Sequence, residues 1–309
     1  MATARPSLPA RLWTYQAERF PLGKTAVLCA VFAGASVSVS AHLAGRGAPP
    51  LAAYLAAFVI TLAFFFQLRV LDEIKDKEDD ARFRPERPIP RGLVRLETII
   101  ALGIASAAVA ALAALSVGPL LLLGLLGAAW LWMTLMSFEF FVADWLKARA
   151  FAYLVSHMAV MPLIDLVITG VEWTPHGTPP AGLWLFLFLS FANGCVLEIG
   201  RKLWAPESER EGVDSYSRIL GPARGAVLWL ACLMAALALL LAVGWATRTP
   251  WLTGGIGLVA VVYAVRAALR YRAQATPERA KALEDASGLW VFACYGAAGF
   301  APFAGAAFG

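Results

Sequence analysis

The chain has 309 residues, of which 60% are apolar and only 15% charged, against about 45–50% and about 25% in an ordinary soluble domain. That balance excludes a soluble globular protein. The net charge of +5 would suit nucleic acid, but the basic residues sit in loops between long apolar stretches, and their placement removes that class of partner.

In chain order, apolar stretches occupy 25–43, 51–71, 96–117, 121–136, 150–170, 182–197, 226–246, 251–265 and 288–308. Most approach the ~20 residues a helix needs to cross hydrocarbon. The expected fold is therefore all-α, an integral membrane bundle of nine transmembrane helices in one domain over 1–309. The fourth, sixth and eighth stretches are short, which predicts a tilted or broken helix there. The segment before the first stretch is basic without an apolar core, and the first stretch is too long for a signal-peptide core, so no cleavage is expected. Counted by loop, 24 of the 26 Lys and Arg fall on one side: in the N-terminal segment and after helices two, four, six and eight. Only Arg46 and Arg248 lie opposite. The positive-inside rule makes the basic side cytoplasmic, with the N-terminus inside and the C-terminus outside; a bacterial-type cell membrane is the expected location. Cys29, Cys195, Cys232 and Cys294 all fall in apolar stretches without a CxxC pair, which argues for packing rather than disulfides or zinc.

Two cytoplasmic loops, 69–97 and 198–224, hold 26 of the 47 charges. Val70-Leu71-Asp72 and Val196-Leu197-Glu198 each place a carboxylate where an apolar helix emerges, and Pro, Arg and Gly follow in both. The echo suggests two related halves facing a common site. In the first loop, continuation of helix two would stack Asp72, Asp76 and Asp80 on one face, with Glu73 beside them. Like charges at that spacing repel, so a cation is expected among them. Clustered carboxylate oxygens suit Mg²⁺, which commonly bridges one or two carboxylates to substrate phosphates. Alternatively, Arg69 and Lys75 pair with Glu73 and Asp79 and leave a solvated helix end. Arg82, Arg84, Arg87 and Arg91 follow in a Pro-broken loop suited to bidentate capture of phosphate.

The run from Asp72 to Asp80, followed by Arg87-Pro88-Ile89-Pro90-Arg91-Gly92, resembles the first signature (N/D-D/E-x-x-D-x-x-x-D, then R-P-x-P-x-G) of the UbiA superfamily of intramembrane prenyltransferases. The resemblance implies nine transmembrane helices, two acidic motifs on the cytoplasmic side, and Mg²⁺ carried by Asp76 and Asp80 for a prenyl diphosphate. Asp72 stands where the family usually has Asn, and Glu73 where it usually has Asp, so oxygen ligands are kept. The stretch Gly212-Val213-Asp214-Ser215-Tyr216-Ser217-Arg218-Ile219-Leu220-Gly221 resembles the G-I/V-x-S-x-x-x-x-L-G that follows the family's second acidic motif. Upstream, Trp204 and Ser208 occupy the register of the family's spaced aspartates. Glu198, echoing Asp72, is then the expected ligand of a second metal, with Glu207 as a helper and Arg201 and Lys202 facing the diphosphate. The other reading makes Glu207, Glu209 and Glu211 a solvated surface run.

Lys147 and Arg149, with Asp144, lie at the rim between helices four and five, where they suit either diphosphate contact or positive-inside anchoring. His157 falls near the middle of helix five and Asp165 near its outer end, after Pro162. Ionisable groups at membrane depth point to function; a satisfied interior histidine and a carboxylate hydrated at the outer interface are the plainer readings. Asn193 suits a ligand or an interhelical hydrogen bond. Phe64, Phe65, Phe66, Trp130, Trp132, Phe138, Phe140 and Phe141 either line a prenyl pocket, where ring faces stabilise an allylic cation, or pack and face lipid. No nucleophile elbow, P-loop, GxGxxG or zinc motif is present.

The resemblance implies Mg²⁺-dependent transfer of a prenyl group from a prenyl diphosphate to an aromatic or other lipophilic acceptor in membrane lipid. Asp72, Glu73, Asp76, Asp80 and Glu198 are the expected catalytic carboxylates; these and Glu207 are the metal ligands. Arg69, Arg84, Arg87, Lys147, Arg201 and Lys202 are expected on the diphosphate. An acceptor-free terpene cyclase is the alternative. A transporter or a non-catalytic lipid-binding homologue is the alternative of another class, and transporter coupling sites usually lie at the bilayer midplane rather than at one edge.

Overall fold

The computed structural model describes residues 6–210 and 214–308, and among these the regular structure is helical, without strands. The helices are α1 (Leu8–Arg19), α2 (Leu22–Leu43), α3 (Leu51–Lys75), α4 (Lys77–Phe83), α5 (Leu96–Val117), α6 (Leu120–Ser137) and α7 (Ala143–Lys147). They continue with α8 (Ala150–Met158), α9 (Val160–Trp173), α10 (Leu183–Arg201), α11 (Tyr216–Leu220), α12 (Pro222–Ala246), α13 (Pro250–Ala273) and α14 (Pro277–Phe308). Among the described residues, nine spans are long and apolar enough to cross a membrane, with α8 and α9 forming one of them. The all-α, nine-helix membrane bundle read from the sequence is the fold observed.

The break lies in a different helix from those expected. The three short stretches are unbroken helices, two of them, α10 and α13, lengthened by polar ends, whereas the fifth span is interrupted at Ala159 between α8 and α9. Pro162 explains this, because it has no N–H to donate and its ring collides with the carbonyl of Met158 one turn back. A second element was not anticipated at all. Residues 8–19 form a helix of their own, α1, whose Leu8, Leu12 and Tyr15 recur at helical spacing; Tyr15 is buried against Val70, Val94 and Ile99.

Short loops make chain neighbours spatial neighbours, and the spanning helices follow one another in a ring from α2 through α3, α5, α6, α9, α10, α12 and α13 to α14, which returns to α2. The closure is tight: a Cβ added to Gly299 of α14 would stand 2.3 Å from Ala35 Cα of α2. Small residues allow such approach where no hydrophobic effect draws helices together in lipid. Two apolar clusters fill the ring. One joins α10, α12, α13 and α14 with Phe32, Ala35 and Val39 of α2; the other joins α3, α5, α6 and α9 with Ala33 and Val37 of α2.

Asp165 is not at a hydrated interface but fully enclosed where α2, α9, α10 and α14 meet. Ser36 Oγ donates to it at 2.7 Å and Tyr295 OH at 2.5 Å, and Tyr295 OH also reaches Ser190 Oγ at 3.2 Å. Asn193 accepts from Trp290 Nε1 at 2.9 Å, the interhelical alternative. At the end of the bundle away from the basic loops, Arg46 makes a paired contact with buried Glu172 (2.5 and 2.8 Å), and Ser40 adds a third bond at 2.6 Å. The four cysteines are free.

Candidate active site

At the basic end, between the two halves of the ring, lies a cavity of about 970 Å³. Its body is apolar, with Leu28, Phe65, Leu68, Met161, Leu197 and Phe292 on the walls. Its mouth is charged. Asp72 and Glu198 both line it, together with Arg19, Lys24, Arg69 and Lys75 from one half and Arg201 and Lys202 from the other. The two echoing segments therefore do meet at one site.

The first acidic segment is not the continuous helix expected. α3 ends at Lys75, Asp76 leaves helical geometry (φ −87°, ψ 6°), and α4 restarts at Lys77. The four carboxylates consequently separate. Asp72 stays at the mouth, half open to solvent, with only Arg69 Nη1 at 3.2 Å. The Asp76 carboxylate meets no hydrogen-bond or salt-bridge partner among the described residues; burial first, and then the neighbouring Asp72 and Asp80 carboxylates, raise its carboxyl above the ordinary range. Glu73 turns the other way, where Arg19 Nε meets it at 2.6 Å and Tyr15 OH at 3.4 Å. Asp80 is buried under Arg87, whose Nη1 lies 2.6 and 2.7 Å from its two oxygens, and under Arg84 at 3.3 Å. Arg84 and Arg87 thus fold back onto the chain's own carboxylate rather than into the cavity. The i,i+4 pairs considered from sequence do not form either: Arg69 takes Asp72, and Lys75 takes Glu139.

In the second segment, Glu198 is held by Arg201 at 2.6 Å and Lys202 at 2.9 Å. Glu207 is exposed on a short turn and lines no part of the cavity. Glu209 instead closes its loop by accepting from Ser215 and Ser217 Oγ at 2.7–2.8 Å. Glu211, Gly212 and Val213 lie outside the described residues. Lys147, at the end of α7, is also exposed and off the cavity. Of the aromatic residues singled out, Phe65 reaches the cavity wall, while Trp130 donates to Gln67 and Trp132 to the Ser156 carbonyl.

A third cluster borders the same mouth. After α6, three consecutive non-glycine residues, Glu139, Phe140 and Phe141, adopt left-handed backbone (φ 49°, 52° and 61°). Each such residue costs about 1–2 kcal/mol, so the surrounding structure must hold them there. The turn buries Glu139, which pairs with Lys75 and stands 3.4 Å from His157 Nε2. Lys75 Nζ also donates to Tyr153 OH at 2.9 Å, and Tyr153 stacks on the His157 ring at 3.8 Å between centroids. Lys75, Tyr153 and His157 all line the cavity. Lys24, Lys75, Tyr153 and Glu139 were not recognisable as site residues from sequence; their basic, aromatic or acidic character alone is shared with many neighbours.

Asp72, touched by Arg69 through one oxygen only, and Asp76 have oxygens to spare, whereas Glu73, Asp80 and Glu198 are buried under their cations. Among the described residues, no three of His, Cys, Asp and Glu gather into a metal cage. Carboxylate oxygens are the donor type that suits Mg²⁺; Asp72 lines the cavity, whereas Asp76 is not among its lining residues.

The sequence profile of the UbiA prenyltransferase family matches residues 31–293. No curated protein sequence matches the chain. Among solved structures, the fold is similar to the apo structure of a UbiA homologue from Aeropyrum pernix K1, with TM-score 0.66 and 16% identity over 90% of this chain and 98% of that one. It is also similar to a structure described for digeranylgeranylglyceryl phosphate synthase in membranes, with TM-score 0.62 and 16% identity over 94% of this chain and 99% of that one. With the profile covering most of the chain and nine spanning helices enclosing a charged-mouthed apolar cavity, this chain belongs to the UbiA prenyltransferase family.

Proposed function

We propose that this protein is an Mg²⁺-dependent intramembrane prenyltransferase that moves a prenyl group from a prenyl diphosphate to an aromatic or other lipophilic acceptor, with the cavity mouth on the cytoplasmic side. The observation that carries the proposal is the division of one cavity into an apolar body and a mouth bearing Arg69, Lys75, Arg201 and Lys202 beside Asp72. That division matches an amphiphile with a hydrocarbon tail and an anionic head.

The four cations would hold the diphosphate, with the two arginines suited to bidentate contact with its oxygens. Asp72 and Asp76 would hold Mg²⁺, which would supply charge neutralisation on the leaving group. Glu198 positions Arg201 and Lys202. The apolar walls seat the tail and keep water from the allylic carbon as its C–O bond breaks, and the ring of Phe65 on the cavity wall offers cation–π stabilisation. Glu73, Asp80, Arg84 and Arg87 act one step back, by fixing α1 and the following loop against the turn that carries Asp76.

The test is diphosphate release from geranyl, farnesyl and geranylgeranyl diphosphate by the purified protein with Mg²⁺. Asp72→Asn, Asp76→Asn and EDTA serve as controls, each with and without an acceptor panel. Release that needs an acceptor supports transfer. Release without acceptor, giving a terpene hydrocarbon, would replace transfer by cyclisation, and no release with any diphosphate would overturn the enzyme reading.

A further inference from the structure

The charges at the cavity mouth are not evenly matched. In its first half three lining cations are answered one to one: Arg19 meets Glu73, Arg69 meets Asp72 and Lys75 meets Glu139. On the α10 side, Arg201 and Lys202 share a single carboxylate, Glu198, so that side keeps a positive charge in excess. Arg201 places Nε and Nη2 on the same oxygen, Oε2, at 2.6 Å each, and Lys202 Nζ takes Oε1 at 2.9 Å. The Arg201 side chain nevertheless remains 57% exposed where it lines the cavity.

Glu198 is the expected ligand of a second metal, but the residues around it do not form a donor set for one. Both of its oxygens are taken by cations of its own helical turn, at i+3 and i+4, and an ion bound there would face two fixed like charges. Among the described residues, nothing beside it adds the oxygens that Mg²⁺ requires. Trp204 offers an indole N–H, which donates to the Arg201 carbonyl at 2.9 Å. Ser208 and the exposed Glu207 lie on a short turn outside the cavity lining, and Glu209 is engaged by Ser215 and Ser217.

Resting on the diphosphate reading above, we infer that the α10 half of the mouth binds the diphosphate directly, through Arg201 and Lys202 in place of a second metal ion, and that the protein takes up one Mg²⁺ per bound substrate, on the Asp72 side. The Nη1–Nη2 edge of the guanidinium remains for phosphate oxygens, and the Lys202 ammonium has further hydrogens to donate beyond the one it gives Glu198. Both groups are in place before the allylic C–O bond breaks, so the electron pair that leaves on the diphosphate meets charge that needs no rearrangement. Glu198 is then a positioning residue and not a metal ligand.

The experiment uses the full-length protein in lipid nanodiscs, with Mn²⁺ as the probe for Mg²⁺ and farnesyl S-thiolodiphosphate as an analogue that does not ionise. Electron paramagnetic resonance of a Mn²⁺ titration with saturating analogue should give one bound ion per chain, without the coupling of a metal pair. Two ions, or a coupled spectrum, would overturn the inference in the wild type alone. Glu198→Gln should keep that one ion and Asp72→Asn should lose it; loss of an ion in Glu198→Gln would overturn the assignment of Glu198.

The second arm measures analogue binding in EDTA by calorimetry. The wild type should still bind, and Arg201→Gln should weaken that metal-free binding by about tenfold or more, as expected for loss of a hydrogen bond between charged groups; Lys202→Met should act in the same direction. An analogue that binds only with metal, or an affinity in EDTA that neither variant alters, would overturn direct binding by α10. Failure of the wild type to release diphosphate from any prenyl diphosphate would sink the prenyltransferase reading alone, because the ion count and the metal-free affinity are both measured without turnover.

Discussion

Arg19 Nε lies 2.6 Å from Glu73 Oε1, and this contact ties the N-terminal helix to the last turn of the helix that carries Asp72. Glu73 is one of the carboxylates that a linear reading assigns to a metal, yet its burial and its arginine make it an anchor for α1. Glu73→Ala should therefore loosen α1, exposing the bonds of 8–19 to protease, and lower stability in detergent by about 1.5–3 kcal/mol, the range for a hydrogen bond to a charged group. Asp72→Asn should leave the protease pattern as it is and abolish turnover.

Asp76 has a carboxyl whose affinity for protons is raised in the folded chain, by burial and by Asp72 and Asp80. The folded state then binds more protons than the unfolded one, so stability is complete below the ordinary aspartate range and declines as pH rises through the raised value. Melting temperature measured against pH in EDTA should decline more steeply in the wild type than in Asp76→Asn. Mg²⁺ should restore the wild type at neutral pH and leave the variant unmoved.

Glu198 holds two cations at the mouth, Arg201 at 2.6 Å and Lys202 at 2.9 Å. Removing the carboxylate frees both and lets them swing. Steady-state kinetics of Glu198→Gln should show KM for the prenyl diphosphate and kcat both altered, whereas Arg201→Ala should act mainly through KM, by loss of a diphosphate contact.

Asp165 accepts from Ser36 and Tyr295 within the membrane span. Hydrogen bonds between membrane helices average about 0.6 kcal/mol and reach about 1.7 kcal/mol, so Tyr295→Phe should cost an amount in that range. Asp165→Ala should cost more, because it removes both bonds at once and leaves Ser36 with only the Phe32 carbonyl and Tyr295 with only Ser190. Unfolding of the purified protein, followed by the two variants and their combination, measures the difference.

Gly299 leaves no room for a methyl group, since its Cβ would stand 2.3 Å from Ala35 Cα and 2.8 Å from the Ala35 carbonyl oxygen. Gly299→Ala must push α14 from α2, at about 1–3 kcal/mol for overpacking. The melting temperature should drop, and Gly296→Ala, where a Cβ meets nothing within 4 Å, is the matched control.

The sequence by itself determined the membrane bundle, the number of spans and the end at which chemistry is concentrated, because crossing hydrocarbon demands long apolar runs and charge cannot be hidden among them. It also paired Asp72 with Glu198, since each sits where an apolar helix emerges. Only the tertiary structure decided which charged groups are available. Spacing of four put Asp72, Asp76 and Asp80 on one face, but the break at Asp76 and the return of Arg87 onto Asp80 depend on where the following loop folds. Arg19 claims Glu73 across 54 residues, and the Glu139–His157 pair exists only because a left-handed turn brings one carboxylate to one imidazole. Such contacts are set by three-dimensional neighbours rather than by periodicity, so no pattern along the chain carries them.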